Sequence, residues 1–221
     1  PISSKTQGDT ERIIGQWLQA TKKRTEIVLA TKITGKGFKS IRNGEPISVL
    51  NLRTALEGSL ERLKTEYIDL YQLHWANRGS YHFRQNWNYD PSGQEKELDE
   101  MYNILSELNK FVKEGKIRTI GLSNETAWGT IQFSNIAKEN NFPEIVTIQN
   151  EYSLMCRHFD LDLAEVCHHE KIGLLSFSPL ACGILSGKYS KNKIPNGTRK
   201  SINNSLGTVS YTHLTLPTSS Q

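Results

Sequence analysis

The sequence predicts an α/β protein, a parallel sheet closed as a (β/α)8 or TIM barrel, with about five of the eight βα units present. Three observations carry this reading. Five short apolar segments alternate with segments of helical periodicity. The apolar segments are near-continuous, as expected of parallel strands covered on both faces. The connections leaving them are longer than those entering them and open on titratable or amide side chains, which is how a barrel arms its C-terminal face. A doubly wound sheet shares the first two features. It normally carries a Gly-x-Gly-x-x-Gly turn after its first strand, however, and none occurs here. The barrel is favoured.

The elements follow in order. Pro1 to Asp9 is a polar loop. The first helix is expected from Thr10 as N-cap, with Glu11 in its first turn and Ile13, Ile14, Trp17 and Leu18 as its apolar face. Strand Glu26–Ile33 carries Lys32 near its end. A second helix covers about Ser48 to Lys64, with Leu52, Leu56, Leu60 and Leu63 at helical spacing. Strand Tyr67–Leu73, interrupted only by Asp69 and Gln72, hands His74 and Trp75 to the long Ala76–Glu97 loop. Loops of that length in compact domains are often functional. A third helix, about Leu98 to Glu114, turns Leu98, Met101, Leu105, Leu108 and Val112 inward and stops at Gly115. Strand Ile117–Leu122 ends in Ser123 and Asn124, and a helix from about Ala127 to Asn140 follows. Strand Ile145–Ile148 ends in Gln149 and Asn150. Helix Leu161–Glu170 then precedes strand Ile172–Phe177, which ends in Ser178 and Pro179.

Composition narrows the function. A net charge of +4 with dispersed Lys and Arg argues against nucleic-acid binding. Cys156, Cys167 and Cys182 form no CxxC pair and leave an odd thiol, which points to a reducing compartment, the cytoplasm, without structural disulfides or zinc. No apolar run approaches the roughly 20 residues of a membrane-spanning helix, so no membrane role is expected.

The strand ends present Lys32, His74, Ser123 with Asn124, Gln149, and Phe177 with Ser178. Each alone has a bland reading: a solvated lysine, a structural histidine, a Ser-Asn pair serving as a helix N-cap. Independent strand ends converge at one mouth in a barrel, and that gives the set its meaning. There is no carboxylate pair for glycoside hydrolysis, no metal-ligand spacing and no Gly-x-Ser-x-Gly elbow. His168 and His169 are adjacent and would diverge by about 100° on a helix. One cation, one imidazole and several hydroxyl and amide groups suit a neutral amide-bearing ring such as nicotinamide. The residues alone reach a barrel enzyme for which NAD(P) dependence is one reading.

The wording of the segments goes further. Thr-Lys-Ile (31–33), Tyr-Ile-Asp-Leu-Tyr-Gln-Leu-His-Trp (67–75), Gly-Lys-Ile-Arg-Thr-Ile-Gly-Leu-Ser-Asn-Glu (115–125), Gln-Asn-Glu-Tyr-Ser (149–153) and Phe-Ser-Pro-Leu-Ala-Cys-Gly-Ile-Leu-Ser-Gly-Lys-Tyr (177–189) resemble the aldo-keto reductase family, in particular its Tas-like group. The resemblance implies NADP(H) as cofactor and hydride transfer to a small-molecule aldehyde or ketone. It implies a catalytic tetrad of Asp, Tyr, Lys and His, in which Lys32 resembles the lysine and His74 the histidine. Ser123, Asn124 and Gln149 resemble the residues that hydrogen-bond the carboxamide, and Phe177 the aromatic that stacks on the nicotinamide. Ser178, Pro179, Leu180 and Lys188 resemble the loop along the pyrophosphate. Trp75 and the aromatic loop residues Tyr81, Phe83, Trp87 and Tyr89 are candidates for a substrate wall or a lid. In such a tetrad a tyrosine, of free pKa about 10, protonates the carbonyl oxygen, and the lysine ammonium lowers that pKa by roughly 1–3 units.

The sequence departs from the family at both ends. The tetrad Asp and Tyr are expected on a segment preceding Pro1, and none of the tyrosines here stands in that context. Val209–Thr218 resembles the translated read-through of a sequencing adapter, so residues 1–204 are expected to form a partial barrel and 205–221 a non-native tail. A fragment with two open sheet edges is expected to be inactive and poorly soluble. Two alternatives stand beside the reductase: a non-catalytic NADP(H)-binding regulatory module of the same fold, and an inert gene fragment.

Overall fold

A computed structural model describes residues 4–78, 89–190 and 193–202. Helix α1 (Asp9–Thr21) leads to β1 (Ala30–Ile33), α2 (Val49–Leu63), β2 (Ile68–Leu73), α3 (Glu97–Lys113), β3 (Ile117–Ser123), α4 (Ala127–Glu139), β4 (Ile145–Gln149), α5 (Leu163–Glu170) and β5 (Gly173–Leu174). A kinked 3-10 segment, Ala181–Ser186, and the short α6 (Arg199–Ile202) complete the described chain.

The strands lie in the order β1-β2-β3-β4-β5, every neighbouring pair parallel. This order separates the two candidate architectures. Each crossover advances the sheet by one strand in the same direction, and right-handed crossovers then put all helices on one face. A doubly wound sheet would reverse direction once. Successive helices accordingly pack on one another, α1 on α2, α2 on α3, α3 on α4 and α4 on α5. The sheet is a run of consecutive βα units of an incomplete (β/α)8 barrel. The expected boundary after residue 204 lies outside the described residues.

The main core lies between this sheet and the helices. Ile33, Tyr71, Leu73, Ile120, Leu122 and Ile148 meet Leu52, Leu56, Met101, Leu105, Leu108 and Phe111, all buried. The other face of the sheet, the barrel interior, carries Lys32, Gln72, Gly121 and Thr147 in one row, read across the registers of β1 to β4. Below the sheet, Asp69 fastens strand starts together. It accepts from the Leu29 amide at 2.9 Å and from Arg118 at 2.7 Å, and pairs with Arg24 at 2.8 Å. Arg24 and Arg118 in turn lie against the Tyr67 ring.

Several elements differ from the sequence expectation. Helix α1 begins after Gly8, in the left-handed region at φ 81°, rather than after Thr10. Its contact stripe is Gly15 and Leu18, which leaves Ile13 66% and Trp17 43% exposed. The cause is the close approach of α2: a Cβ on Gly15 would stand 2.3 Å from the Arg62 carbonyl oxygen. Leu98 is exposed and Ile104 and Phe111 fill the α3 face instead. Asn124 does not cap α4. Thr126 does, accepting from the Gly129 amide at 3.2 Å. The first and last strands are shorter than expected, although Glu151 and Phe177 continue the parallel pairing beyond β5 as an isolated bridge.

Candidate active site

Lys32 sits one residue before the end of β1, partly buried, opposite Gln72 of β2. Burial lowers its pKa, because an ammonium loses hydration there. His74 follows directly on β2, and its amide extends the ladder by donating to the Ile33 carbonyl at 3.0 Å. Burial, and then the nearby Lys32 ammonium, push the imidazole pKa down to about 4. His74 is therefore neutral at pH 7, a hydrogen-bonding group rather than a charge.

The ends of β2, β3 and β4 are laced together by the Ser123–Asn124 pair. Ser123 Oγ donates to the Gln149 carbonyl at 2.8 Å, and the Asn124 amide donates to the same oxygen at 3.0 Å. Asn124 Nδ2 reaches the His74 carbonyl at 2.9 Å and Ser123 Oγ at 3.1 Å. These bonds hold Asn124 in the left-handed region at φ 51°, a conformation Asn tolerates better than most residues. Its Oδ1 is left buried without a hydrogen-bond partner among the described residues. An amide acceptor free at a barrel mouth is suited to an N–H donor of a ligand.

Phe177 is partly buried, its amide bonded to the Asn150 carbonyl at 3.1 Å. Ser178 is in the left-handed region at φ 53°, and Pro179 and Leu180 behind it are exposed. Lys188 folds over the 3-10 segment at Gly183, where φ is 97° and an added Cβ would lie 2.6 Å from Lys188 Cε. Its ammonium is exposed, 5.4 Å from the Tyr189 ring centroid. Lys32, His74, Ser123, Asn124, Gln149 and Phe177 thus stand at consecutive C-terminal strand ends, with Ser178 to Lys188 as the turn beyond β5.

Trp75 is placed differently from an open wall. Its ring is 8% exposed, its Nε1 donates to the Lys36 carbonyl at 3.0 Å, and Phe38 lies 5.6 Å away. Gly35 makes room for it, since a Cβ there would come within 2.3 Å of Nε1. Tyr89 is 74% exposed, and Tyr81, Phe83 and Trp87 lie outside the described residues.

Two groups escaped the sequence reading. Asn150 is fully buried, with Nδ2 on the Glu125 carbonyl at 3.0 Å and Oδ1 unpartnered among the described residues. It directly follows Gln149 in the motif, so its position was visible but its burial was not. Arg78, Glu97 and Glu125 form a buried ion cluster, with Arg78 bonded to Glu97 Oε1 at 3.0 Å, to Thr126 Oγ1 at 3.1 Å and to Glu125. Burial raises the Glu97 pKa against the pull of Arg78. The residues are far apart in sequence and nothing in the chain pairs them. The cluster joins both ends of the 76–97 connection to the turn bearing Asn124. A cleft lined by Trp75, Asn77, Arg78, Glu97, Leu122 and Glu125 opens there on the helix side, and neither Lys32 nor His74 lines it.

Comparison with known proteins identifies the family. A sequence profile described as "Aldo/keto reductase family" matches residues 6–219. The chain is 39% identical over 206 residues to "Protein tas" of Escherichia coli (strain K12), covering 91% of this chain and 59% of that protein. It is 36% identical over 183 residues to "Aldo-keto reductase" of Babesia bovis, covering 75% and 62%, and 32% identical over 203 residues to "Uncharacterized oxidoreductase YrpG" of Bacillus subtilis (strain 168), covering 89% and 56%. The chain thus spans about three fifths of the length of these relatives. With consecutive parallel βα units, polar strand ends and a profile match over nearly every residue, the chain belongs to the aldo/keto reductase family.

Proposed function

We infer that the protein is an NADP(H)-dependent reductase acting on a small-molecule aldehyde or ketone, and that Lys32 and His74 are its catalytic residues within this chain. The observation that supports this best is their placement. They stand at the C-terminal ends of adjacent parallel strands, near enough for the ammonium to help depress the imidazole pKa.

The residues present fit a nicotinamide dinucleotide. Asn124 Oδ1 is a buried, unpartnered acceptor beside Ser123 at the mouth, suited to the amino group of a carboxamide. Gln149 offers a second amide, Phe177 an aromatic face, and Ser178, Pro179, Leu180 and Lys188 a turn with an exposed cation for phosphate oxygens. When bound, the nicotinamide supplies the hydride. His74, neutral at pH 7, donates a hydrogen bond that orients the substrate carbonyl. Lys32 favours the phenolate of a tyrosine acid and so brings its pKa toward the working range. No tyrosine or aspartate of this chain is assigned to those two roles. Trp75 supports the substrate side of the site, and the free thiols of Cys156, Cys167 and Cys182 fit a cytoplasmic setting.

The test is carbonyl-dependent NADPH oxidation and NADPH titration of the full-length protein and its Lys32→Met variant. Turnover should fall by about 100-fold or more, with NADPH affinity little changed. Equal turnover in the two proteins overturns the assignment of Lys32. NADPH binding without carbonyl-dependent oxidation in the wild type would instead favour a non-catalytic binding module.

A further inference from the structure

The chain leaves β2 as an irregular segment, His74 to Arg78, and both ends of that segment bond to the turn that opens α4. The His74 carbonyl accepts from Asn124 Nδ2 at 2.9 Å. Arg78 binds the side chains that follow Asn124, Glu125 through both carboxylate oxygens and Thr126 Oγ1 at 3.1 Å. Between these points Asn77 is itself fixed. Its Oδ1 accepts from the Ile47 amide and its Nδ2 donates to the Ile47 carbonyl, each at 2.8 Å. The segment is a short brace laid across residues 124–126, with Asn124 held at one end and the Arg78 ion pair at the other.

Stability alone does not explain the brace. The side chains of Arg78, Glu97 and Glu125 are buried, and apolar side chains of similar volume often serve stability as well as a buried ion cluster does. Capping of α4 does not require it either, since Thr126 Oγ1 accepts from the Gly129 amide. What a guanidinium adds is direction, because its planar fork fixes the angle of each carboxylate it binds. Glu125 is held by Arg78, by the Thr126 amide at 2.7 Å, and through its backbone carbonyl by Asn150 Nδ2 at 3.0 Å. The first turn of α4 is shaped to receive the pair. A Cβ on Gly129 would lie 2.4 Å from both Arg78 Nη2 and Glu125 Oε1, and the Trp128 ring covers the guanidinium at 5.1 Å. Directly before Glu125 stands Asn124, in the left-handed region at φ 51°, a conformation that L-residues keep only when their neighbours are held.

We propose that Arg78 is a positioning residue for Asn124: by clamping Glu125 and Thr126 to the segment that carries the His74 carbonyl, it sets the conformation in which the Asn124 side chain is held. Glu97, the first residue of α3, binds the same guanidinium at 3.0 Å and so ties Asn124 to the far end of the 76–97 connection. The consequence for ligand binding rests on the nicotinamide reading of the strand ends, whereas the positioning itself is measured without a cofactor.

The experiment uses the full-length protein, 15N-labelled at asparagine, with the Asn124 side-chain amide assigned through Asn124→Asp. Arg78→Lys keeps a cation and loses the fork. Gly129→Ala keeps every charge and displaces the pair, and serves alone if the lysine variant does not fold. In each, hydrogen exchange of the Asn124 Nδ2 protons should quicken by about tenfold or more, and unchanged exchange in the folded variants overturns the proposal. Titration with NADPH and with adenosine 2′,5′-bisphosphate, which lacks the nicotinamide half, reads the consequence. NADPH affinity should fall by about tenfold, as for one ligand hydrogen bond, with bisphosphate affinity unchanged. A general loosening would weaken both alike or neither, and either result overturns the positioning role. If the wild type binds the two ligands equally, faster exchange in the variants leaves Arg78 positioning Asn124 and removes the nicotinamide reading instead.

Discussion

The side-chain amide of Asn124 donates to the backbone carbonyl of His74 at 2.9 Å. One strand end thereby holds another through a residue whose remaining oxygen is buried and, among the described residues, unpaired. Asn124→Ala removes that bond and the one to Ser123, and leaves a left-handed residue with no local compensation. The expected cost is about 1–3 kcal/mol in denaturant unfolding, together with weaker NADPH binding. Asn124→Asp should retain the free oxygen and lose the His74 contact, so it separates the bracing from the binding.

Stability should depend on His74. Its folded pKa is about 4, against the ordinary imidazole value of 6.5. The unfolded state therefore binds the proton that the folded state refuses, and stability rises with pH across this window. The contribution is nil above about pH 7 and becomes a penalty of up to about 3 kcal/mol as pH falls toward 4. Urea unfolding at pH 7.5 and 4.5 measures it. In His74→Gln the difference between the two conditions should shrink by that amount, and an unchanged difference would show that His74 is not held neutral by burial.

Arg78 carries two buried carboxylates, with side chains of Arg78, Glu97 and Glu125 5%, 9% and 4% exposed. Arg78→Leu leaves both acids uncompensated, and a loss of about 3–5 kcal/mol is expected from breaking a buried pair on one side. Adding Glu97→Gln and Glu125→Gln to Arg78→Leu should recover part of it. Thermal unfolding of the single and triple variants checks this, and a triple variant no more stable than the single would remove the charge explanation.

Gly15 lets α1 lie directly on α2. Gly15→Ala would set a methyl 2.3 Å from the Arg62 carbonyl oxygen, a backbone atom that cannot rotate away. The two helices must separate, with a destabilisation of about 1–3 kcal/mol despite the better helix propensity of alanine. A circular dichroism melt that rises instead would show that the contact yields.

The repeating strand and helix plan was legible in the chain because burial on both faces of a parallel sheet forces near-continuous apolar segments. Periodicity of 3.6 likewise marks Leu52, Leu56 and Leu63 as inward. The sequence also determined which residue types stand at the strand ends, since Lys32, His74, Ser123, Asn124 and Gln149 each follow an apolar run and a strand that ends there must expose them. What only the tertiary structure decided is pairing and rotation. The order β1 to β5 without a reversal is a relation among strands that no single segment encodes. The outward turn of Ile13 and Trp17 depends on how closely α2 can approach Gly15. The displacement of the α4 cap from Asn124 to Thr126 depends on carbonyls supplied by β2 and β4. The Arg78 cluster, the burial of Trp75 under the loop after β1, and the unpaired oxygens of Gln72 and Asn124 have the same origin. Hydrogen bonds and ion pairs between residues tens of positions apart are set by the packing of whole elements, and local sequence constrains them only after that packing is given.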